Sequence, residues 1–228
     1  LLGLFLSLRT GIFFTGRNLI NILEANSFKL LLAIGMTFVI ASGGIDLSVG
    51  SILSLSAIFT ALCMKQNIPV WLAILVGLLS GILMGLINGA LIHFTGINAF
   101  IITLGTSFLY RGLALIVTRG TPASKLPAAY RAFGGGDIFQ VESGVYMALL
   151  VLLLSIPLLY KMRWGHYITT LGGNPVALRR CGVRTGAWRI STFAVMGFLA
   201  ALAGIIISAR LNSAEPNAGL NMEMDAIT

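Results

Sequence analysis

The segment from Ser42 to Gly50 places one carboxylate among glycines and hydroxyl side chains, after an apolar run that is short for a full membrane span. It reads Ser-Gly-Gly-Ile-Asp-Leu-Ser-Val-Gly. The adjacent Gly43 and Gly44 are expected to interrupt a helix, and non-helical backbone at membrane depth is tolerated only where it is buried in protein or lines a cavity. Such breaks present free backbone groups near the midplane. We therefore predict a discontinuous helix near residues 42–50.

Asp46 has two roles that the sequence leaves open. Its carboxylate, or the Ser48 hydroxyl, is suited to accept hydrogen bonds from the free N–H groups that open the next helix. An ionisable side chain inside a membrane also marks a substrate or gating site. The two roles are compatible.

Residues 171–183 carry the start and stop signals of a complete short helix. Asn174 suits the N-cap, Pro175 the first helical position and Gly182 the end. A helix this short is not stable by itself in water. It therefore needs a surface to pack against.

Two readings of that short helix depend on its basic end, Arg179 and Arg180. In the first, which we favour, it docks on a partner protein. In the second, it lies on the membrane and its two arginines bind anionic lipid head groups.

The helices that position both segments follow from hydropathy, since a membrane-spanning helix needs about 20 mostly apolar residues. After an apolar leading tail at 1–8, read as the end of an earlier spanning helix, six segments qualify. They are 18–41, 48–64, 70–93, 97–118, 144–161 and 187–209. The predicted fold is a single all-α domain, a polytopic transmembrane bundle covering 1–228. Both ends fall within apolar stretches, so we expect the protein to be longer.

Composition excludes a soluble domain. The chain is 57% hydrophobic and 10% charged, whereas soluble proteins have roughly 25% charged residues. The net charge of +8 does not indicate nucleic-acid binding, because the basic residues sit in short inter-helix segments rather than on one continuous face. The surrounding solvent is therefore membrane lipid.

The distribution of lysine and arginine predicts the orientation. Residues 161–189 contain six of them and residues 119–143 contain three, and the richer side faces the cytoplasm. Residues 162–186 are therefore placed in the cytoplasm and 119–143 outside. Arg9, Arg17 and Lys29 then conflict mildly with this rule.

Other side chains indicate packing rather than chemistry. Gly77, Gly81, Gly85 and Gly89 recur every four residues and form one flat helical stripe, which favours close helix packing in lipid. The same device recurs at Ala200, Gly204 and Ser208. Cys63 and Cys181 are predicted on opposite sides of the membrane, so no disulfide is expected. His93 and His166 stand alone, so no metal site is expected.

Four motifs in order resemble a known family. Gly43–Gly50 resembles the signature of the monosaccharide-type ABC permeases, the ribose, xylose, arabinose and autoinducer-2 branch. Phe100–Thr106 with Arg111-Gly112 is similar to the family's next block, and Gly172–Ala177 with Gly182-Val183 to its cytoplasmic coupling segment. The stretches 214–219 and 223–227 resemble the block that follows. One departure is Ile97-Asn98-Ala99, where the family often has a proline at the entry of the helix.

The resemblance implies a permease subunit of an ATP-binding-cassette importer, carrying a monosaccharide or similar small polyol across the bacterial inner membrane. It implies a cytoplasmic ATPase, a periplasmic sugar-binding protein and a second permease copy or homologue as partners. The chain has no G-x-x-x-x-G-K-[ST] sequence. We therefore expect no enzyme activity and no cofactor in this chain, with ATP bound by the ATPase.

The resemblance also distributes roles among residues. The expected substrate pathway consists of Gly43, Gly44, Asp46, Ser48, Phe100, Thr103 and Arg111. The expected cytoplasmic coupling helix covers residues 172–182. Its expected ATPase-coupling residues are Gly172, Gly173, Asn174, Pro175, Ala177, Arg179, Arg180 and Gly182. The expected extracytoplasmic mouth is Asn212, Glu215 and Asn217. For Arg111, snorkelling to the interface or pairing with another helix stays an alternative to a pathway role.

Three other functions are alternatives to a sugar importer permease. A permease of the related branched-chain amino acid importers is the nearest alternative. A carrier driven by an ion gradient would need buried ionisable groups along its helices, and Asp46 and Arg111 are the available ones. A membrane enzyme is disfavoured, because paired carboxylates, histidine clusters and activated nucleophiles are absent from the sequence.

Overall fold

The computed structural model describes residues 14–228 as a bundle of α-helices. The predicted tail at 1–8 and Arg9 lie outside the described residues. The helices are α1 (Gly16–Ala41), α2 (Val49–Lys65), α3 (Val70–Thr95), α4 (Ala99–Thr118), α5 (Ala128–Gly135), α6 (Ser143–Tyr160), α7 (Arg163–Gly173), α8 (Pro175–Arg180), α9 (Thr185–Leu211) and α10 (Met222–Ile227). Two-residue strands are β1 (Ala123–Ser124), β2 (Asp137–Ile138), β3 (Val141–Glu142) and β4 (Ser213–Ala214).

The predicted all-α bundle is confirmed. Within residues 14–228, five helices are long and apolar enough to cross a membrane, namely α1, α3, α4, α6 and α9. The sixth predicted segment is α2, which is apolar but has 17 residues. The short helices α5, α7 and α10 were not predicted, because amphipathic helices of this length carry no hydropathy signal of a membrane span.

The helix α9 lies at the centre of the bundle and packs against α1, α2 and α3. The glycine stripe of α3 forms this contact. A Cβ at Gly85 would collide with the Phe193 carbonyl, and one at Gly89 would lie 2.7 Å from the Ile190 Cα. The stripe predicted as a packing face is therefore confirmed, and its backbone lies directly on α9.

The connections gather at two ends of the bundle. At one end, β1 pairs with β4, and Arg210 of α9 forms an ion pair with Glu142 (2.8 Å). At the other end, the His93 ring lies against Gly186. Residues 119–143 and 162–186 thus lie at opposite ends, as the charge distribution requires; which end faces the cytoplasm stays a prediction.

Candidate functional site

The helix α1 ends in a left-handed turn. This turn begins the break, which is the non-helical segment at residues 42–48 between α1 and α2. Gly43 has φ = +81°, a backbone conformation that residues with a Cβ rarely adopt. Its N–H donates to the Ile40 carbonyl (2.9 Å), and the Gly44 N–H donates to the Val39 carbonyl (3.0 Å). This is the hydrogen-bond pattern of a Schellman motif. The two glycines predicted to interrupt the helix therefore terminate it.

The helix that is short at this break is α2, not α1, which corrects the sequence interpretation. The 26 residues of α1 span about 39 Å at 1.5 Å per residue. Ser48, the residue before α2, accepts a hydrogen bond from Asn88, and α3 continues beyond Asn88 to Thr95. The chain therefore enters α2 inside the bundle rather than at its end.

Four side chains form a buried chain of hydrogen bonds between the break, α3 and α4. The Ser48 hydroxyl donates to Asp46 Oδ1 (2.6 Å) and accepts from Asn88 Nδ2 (2.7 Å). The Tyr110 hydroxyl lies 3.1 Å from Asn88 Oδ1 and 3.1 Å from the Met84 carbonyl oxygen. Asp46, Ser48 and Asn88 are each 0% exposed. A buried polar network of this kind rigidifies its surroundings and specifies one arrangement.

The helix cap predicted for Asp46 or Ser48 is not formed by either side chain. Ser48 occupies the N-cap position of α2 but makes no side-chain cap hydrogen bond. Asp46 Oδ1 instead accepts from the Ser48 N–H (2.8 Å), whereas a cap would bind N–H groups further into the helix. The reason is competition, since the Ser48 hydroxyl is already engaged by Asp46 and Asn88.

The second oxygen of Asp46, Oδ2, has no hydrogen-bond partner. Among the described residues, it is the buried side-chain nitrogen or oxygen atom that lacks a hydrogen-bond partner. An unsatisfied buried acceptor carries the full desolvation penalty of the group, so each instance in a native structure requires an explanation such as strain or a functional role. Oδ2 is therefore the unsatisfied acceptor of the break, and because Asp46 is 0% exposed it is closed to a solute in this structure.

Thr103 of α4 holds the middle of the break. Its hydroxyl oxygen accepts from the Leu47 N–H (3.0 Å). The nearest acceptor for its proton is the Ala99 carbonyl (2.8 Å), with the Ile45 carbonyl at 3.2 Å. Thr103 is fully buried, so within this structure it positions the backbone of the break and presents no surface to a solute.

Successive residues of the break line two different cavities. Gly43 and Gly44 line a cavity of about 160 Å³ together with Asn98 and Arg189. Leu47 lines a second cavity of about 410 Å³, whose wall includes Phe100 and Arg111. Of the predicted pathway residues, Gly43 and Gly44 line the first cavity, and Phe100 and Arg111 line the second. The other three, Asp46, Ser48 and Thr103, line neither.

Arg111 pairs with the connection between β4 and α10, and not with another helix as the alternative to a pathway role had it. Its Nη1 donates to the Pro216 carbonyl (2.6 Å) and the Ala218 carbonyl (2.7 Å). Ser54 of α2 donates to the Pro216 carbonyl as well (2.9 Å). The segment between β4 and α10 is thus fastened onto α2 and α4.

The predicted short helix is α8, and its predicted start and stop signals are formed. Asn174 Oδ1 accepts from the Ala177 N–H (2.9 Å), Pro175 is its first residue, and Gly182 has φ = +79°. The helix α7 precedes it directly, and Leu178 is 5% exposed, so α8 is seated on the bundle rather than free-standing. Gly173, Arg179 and Arg180 are exposed.

Gly172, the predicted coupling residue at the end of α7, touches the break. The position of a Cβ on Gly172 lies 2.9 Å from the Gly43 nitrogen and collides with the Ala41 carbonyl oxygen. The structure thus brings one predicted pathway residue and one predicted coupling residue together.

The predicted mouth residues lie beyond α9 at the end of the bundle that holds β1 and β4. Asn212 Oδ1 accepts from the Leu126 N–H (3.2 Å) and so ties two connections together. Glu215 and Asn217 are exposed. Their predicted role stays a prediction.

Sequence reasoning missed Asn88 and Tyr110. The signal for Asn88 is visible in the sequence: a lone amide between Gly85 and Gly89 in an otherwise apolar helix. Polar residues inside membrane helices are expensive and are retained where they bond across helices. Tyr110 carries a weaker signal, since tyrosine is ordinary in such helices.

The membrane-helix bundle and its interrupted segment fit a membrane permease, and a family model identifies one. Residues 18–228 match the family described as the permease component of the branched-chain amino acid transport system. The chain belongs to this family and is a multi-pass protein of the inner membrane.

The chain is similar to several curated permeases. It is 38% identical to the ribose import permease protein RbsC of Haemophilus influenzae over 219 residues, covering 94% of this chain and 68% of the relative. It is 35% identical to the D-allose transport system permease protein AlsC of Escherichia coli over 228 residues, covering 100% and 70%. It is 34% identical to the autoinducer 2 import system permease protein LsrC of Yersinia pestis over 215 residues, covering 94% and 61%. No solved structure matches the chain.

Proposed function

We propose that this chain is the membrane-spanning subunit of an ATP-driven importer whose cargo is a monosaccharide or a similar small polyol. The observation that carries the proposal is the break at residues 42–48, whose two ends line two different cavities in a chain of this permease family. The relatives named for ribose and D-allose support a sugar as the cargo.

The break acts as the closed gate of the pathway. Asp46 and Ser48 are fully buried, and Thr103 holds the backbone of Leu47 (3.0 Å). An importer must open its substrate route to one side at a time, and discontinuous helices near the midplane commonly lie at the substrate site around which a transporter does so. Passage requires the break to move relative to α4, and a second permease copy or a homologue completes the pathway.

The partner ATPase acts on the permease through α8. Arg179 and Arg180 are exposed on it and form a basic surface on which a cytoplasmic ATPase docks. ATP binds to that ATPase subunit. Gly172 lies between α8 and the end of α1. Movement of α8 therefore reaches the break through one backbone contact. A periplasmic sugar-binding protein docks at the opposite end, near Asn212, Glu215 and Asn217.

A branched-chain amino acid is the second candidate cargo, and the description of the matching family favours it. The experiment that separates the two uses the full-length permease with its ATPase and binding protein in proteoliposomes. We expect ATP-dependent uptake of labelled D-ribose or D-allose and none of labelled leucine. Uptake of leucine alone would establish the second candidate. Uptake of sugar without the ATPase would overturn the importer.

A further inference from the structure

The face of α4 next to the break combines aromatic rings with one cation. Phe100, Leu104, Phe108 and Arg111 follow each other at helical spacing and so share one face. All four line the cavity of about 410 Å³, a volume within the range of about 300–1,000 Å³ that is usual for small-molecule sites. Phe108 is 71% exposed, so its ring is available for contact.

The same cavity holds two charged groups that are not paired with each other. Glu223 of α10 lines the same cavity as Arg111, yet the ion pairs formed by residues 14–228 do not include it. The Arg111 Nη1 is occupied by the carbonyls of Pro216 and Ala218 (2.6 and 2.7 Å). Its Nη2 and Nε donate to no acceptor in the described part of the chain, and the Glu223 carboxylate accepts from no donor there.

We infer that this cavity is a polyol subsite, in which Glu223 and Arg111 bind neighbouring hydroxyl groups of the sugar and Phe108 packs against its C–H face. The inference rests on the proposed function and names the residues that contact its substrate. A hydroxyl both donates and accepts, so a vicinal diol satisfies a carboxylate and a guanidinium at once. The two opposite charges leave the cavity without net charge from this pair, which suits a neutral ligand.

The position of the subsite fits the gate. Leu47 of the break lines the same cavity, and the Glu223 carboxylate lies 3.3 Å from the position of a Cβ on Gly50, in the first turn of α2. A sugar held by Glu223 and Arg111 therefore sits directly against the segment that must move. Glu223 selects the substrate at the step before the gate.

The test compares Glu223→Gln with Asp225→Asn in the complete transporter in proteoliposomes. Both substitutions remove a carboxylate charge from α10, but Asp225 faces away and pairs with Lys29 (2.7 Å). We expect Glu223→Gln to lower ATP-driven D-ribose uptake by about tenfold, as the loss of a charge-assisted hydrogen bond predicts, and Asp225→Asn to change it by less than about twofold. Equal effects of the two substitutions would overturn the subsite.

Occupancy is measured separately with Ser107→Cys, which lines the cavity, after replacement of Cys63 and Cys181 by serine. We expect D-ribose to slow maleimide labelling of the new cysteine and to leave labelling of Ile116→Cys unchanged, since Ile116 lies on α4 outside the cavity. A labelling rate that D-ribose does not change contradicts the subsite. Protection by leucine instead would overturn the polyol class. If the unmodified transporter moves no sugar, the proposed function itself fails.

Discussion

The Cα atom of Gly172 lies 3.1 Å from the position that a Cβ on Gly43 would occupy. Gly43 is the left-handed residue that ends α1, and Gly172 is the penultimate residue of α7, just before α8. The contact therefore joins the membrane break to the proposed ATPase-docking helix through two backbones. Rigid backbone contacts transmit displacement better than flexible side chains do, because interiors are close-packed.

Gly172→Ala is expected to separate these backbones. The added methyl group would collide with the Ala41 carbonyl oxygen, and overpacking of this kind destabilises by about 1–3 kcal/mol. We expect a lower Tm in detergent and weaker ATP-driven uptake. The matched control is Gly105→Ala, because nothing lies within 4 Å of a Cβ there and Gly105 is not among the predicted coupling residues. Equal behaviour of the two variants would show that the contact has no mechanical role.

Asn88→Ala is expected to destabilise the bundle at the break. It leaves the Ser48 hydroxyl and the Tyr110 hydroxyl each without one partner, and an unsatisfied buried group costs about 1–3 kcal/mol. The free energy of unfolding, followed by denaturant titration in detergent, reports this loss. Asn26→Ala is the control, since Asn26 is exposed on α1 and should change it by less than about 0.5 kcal/mol.

Tyr110→Phe tests whether the network acts as a unit. If Asn88 and Tyr110 are coupled, the double variant loses less stability than the sum of the single variants, by about 0.5–3 kcal/mol. Strict additivity would mean that the 3.1 Å approach of Tyr110 to Asn88 carries no interaction energy.

Asp46→Asn and Asp46→Ala separate the two roles of this carboxylate. Asparagine retains an oxygen that can accept from Ser48, so the fold should persist, whereas alanine removes both hydrogen bonds at Oδ1 and should cost about 1.5–3 kcal/mol each. We expect uptake to fall in both variants, because both lose the free Oδ2. Unchanged uptake in Asp46→Asn would remove Asp46 from the substrate role, and unchanged stability in Asp46→Ala would remove it from the structural role.

Reversing the charge of α8 should uncouple transport from ATP. Arg179→Glu with Arg180→Glu alters two exposed side chains, so the protein should insert and fold, while ATP-dependent uptake is abolished. The control reverses Arg119 and Arg131, which are also exposed but lie in the connection between α4 and α6, predicted to be outside. Co-purification of the ATPase distinguishes lost docking from a loss of activity after docking; normal uptake by the α8 variant would refute the docking role.

The positions of the membrane helices, the break and the short helix α8 were determined by the sequence itself. Each depends on local physics: about 20 apolar residues for a span, adjacent glycines for the end of α1, and Asn174 with Pro175 for the start of α8. These effects act within a single helix or at its ends, so the order of residues along the chain suffices to detect them.

Only the tertiary structure decided what the break is connected to. Asn88 reaches Ser48 across 40 positions, and Arg111 reaches Pro216 across 105. Such pairs depend on how each helix is rotated and how deeply it sits in the bundle, and hydropathy reports neither, because lipid-facing and buried positions of a membrane helix are both apolar. For the same reason the sequence assigned Asp46 and Ser48 to a helix cap, whereas packing gave the Ser48 hydroxyl to Asn88 and left one oxygen of Asp46 free.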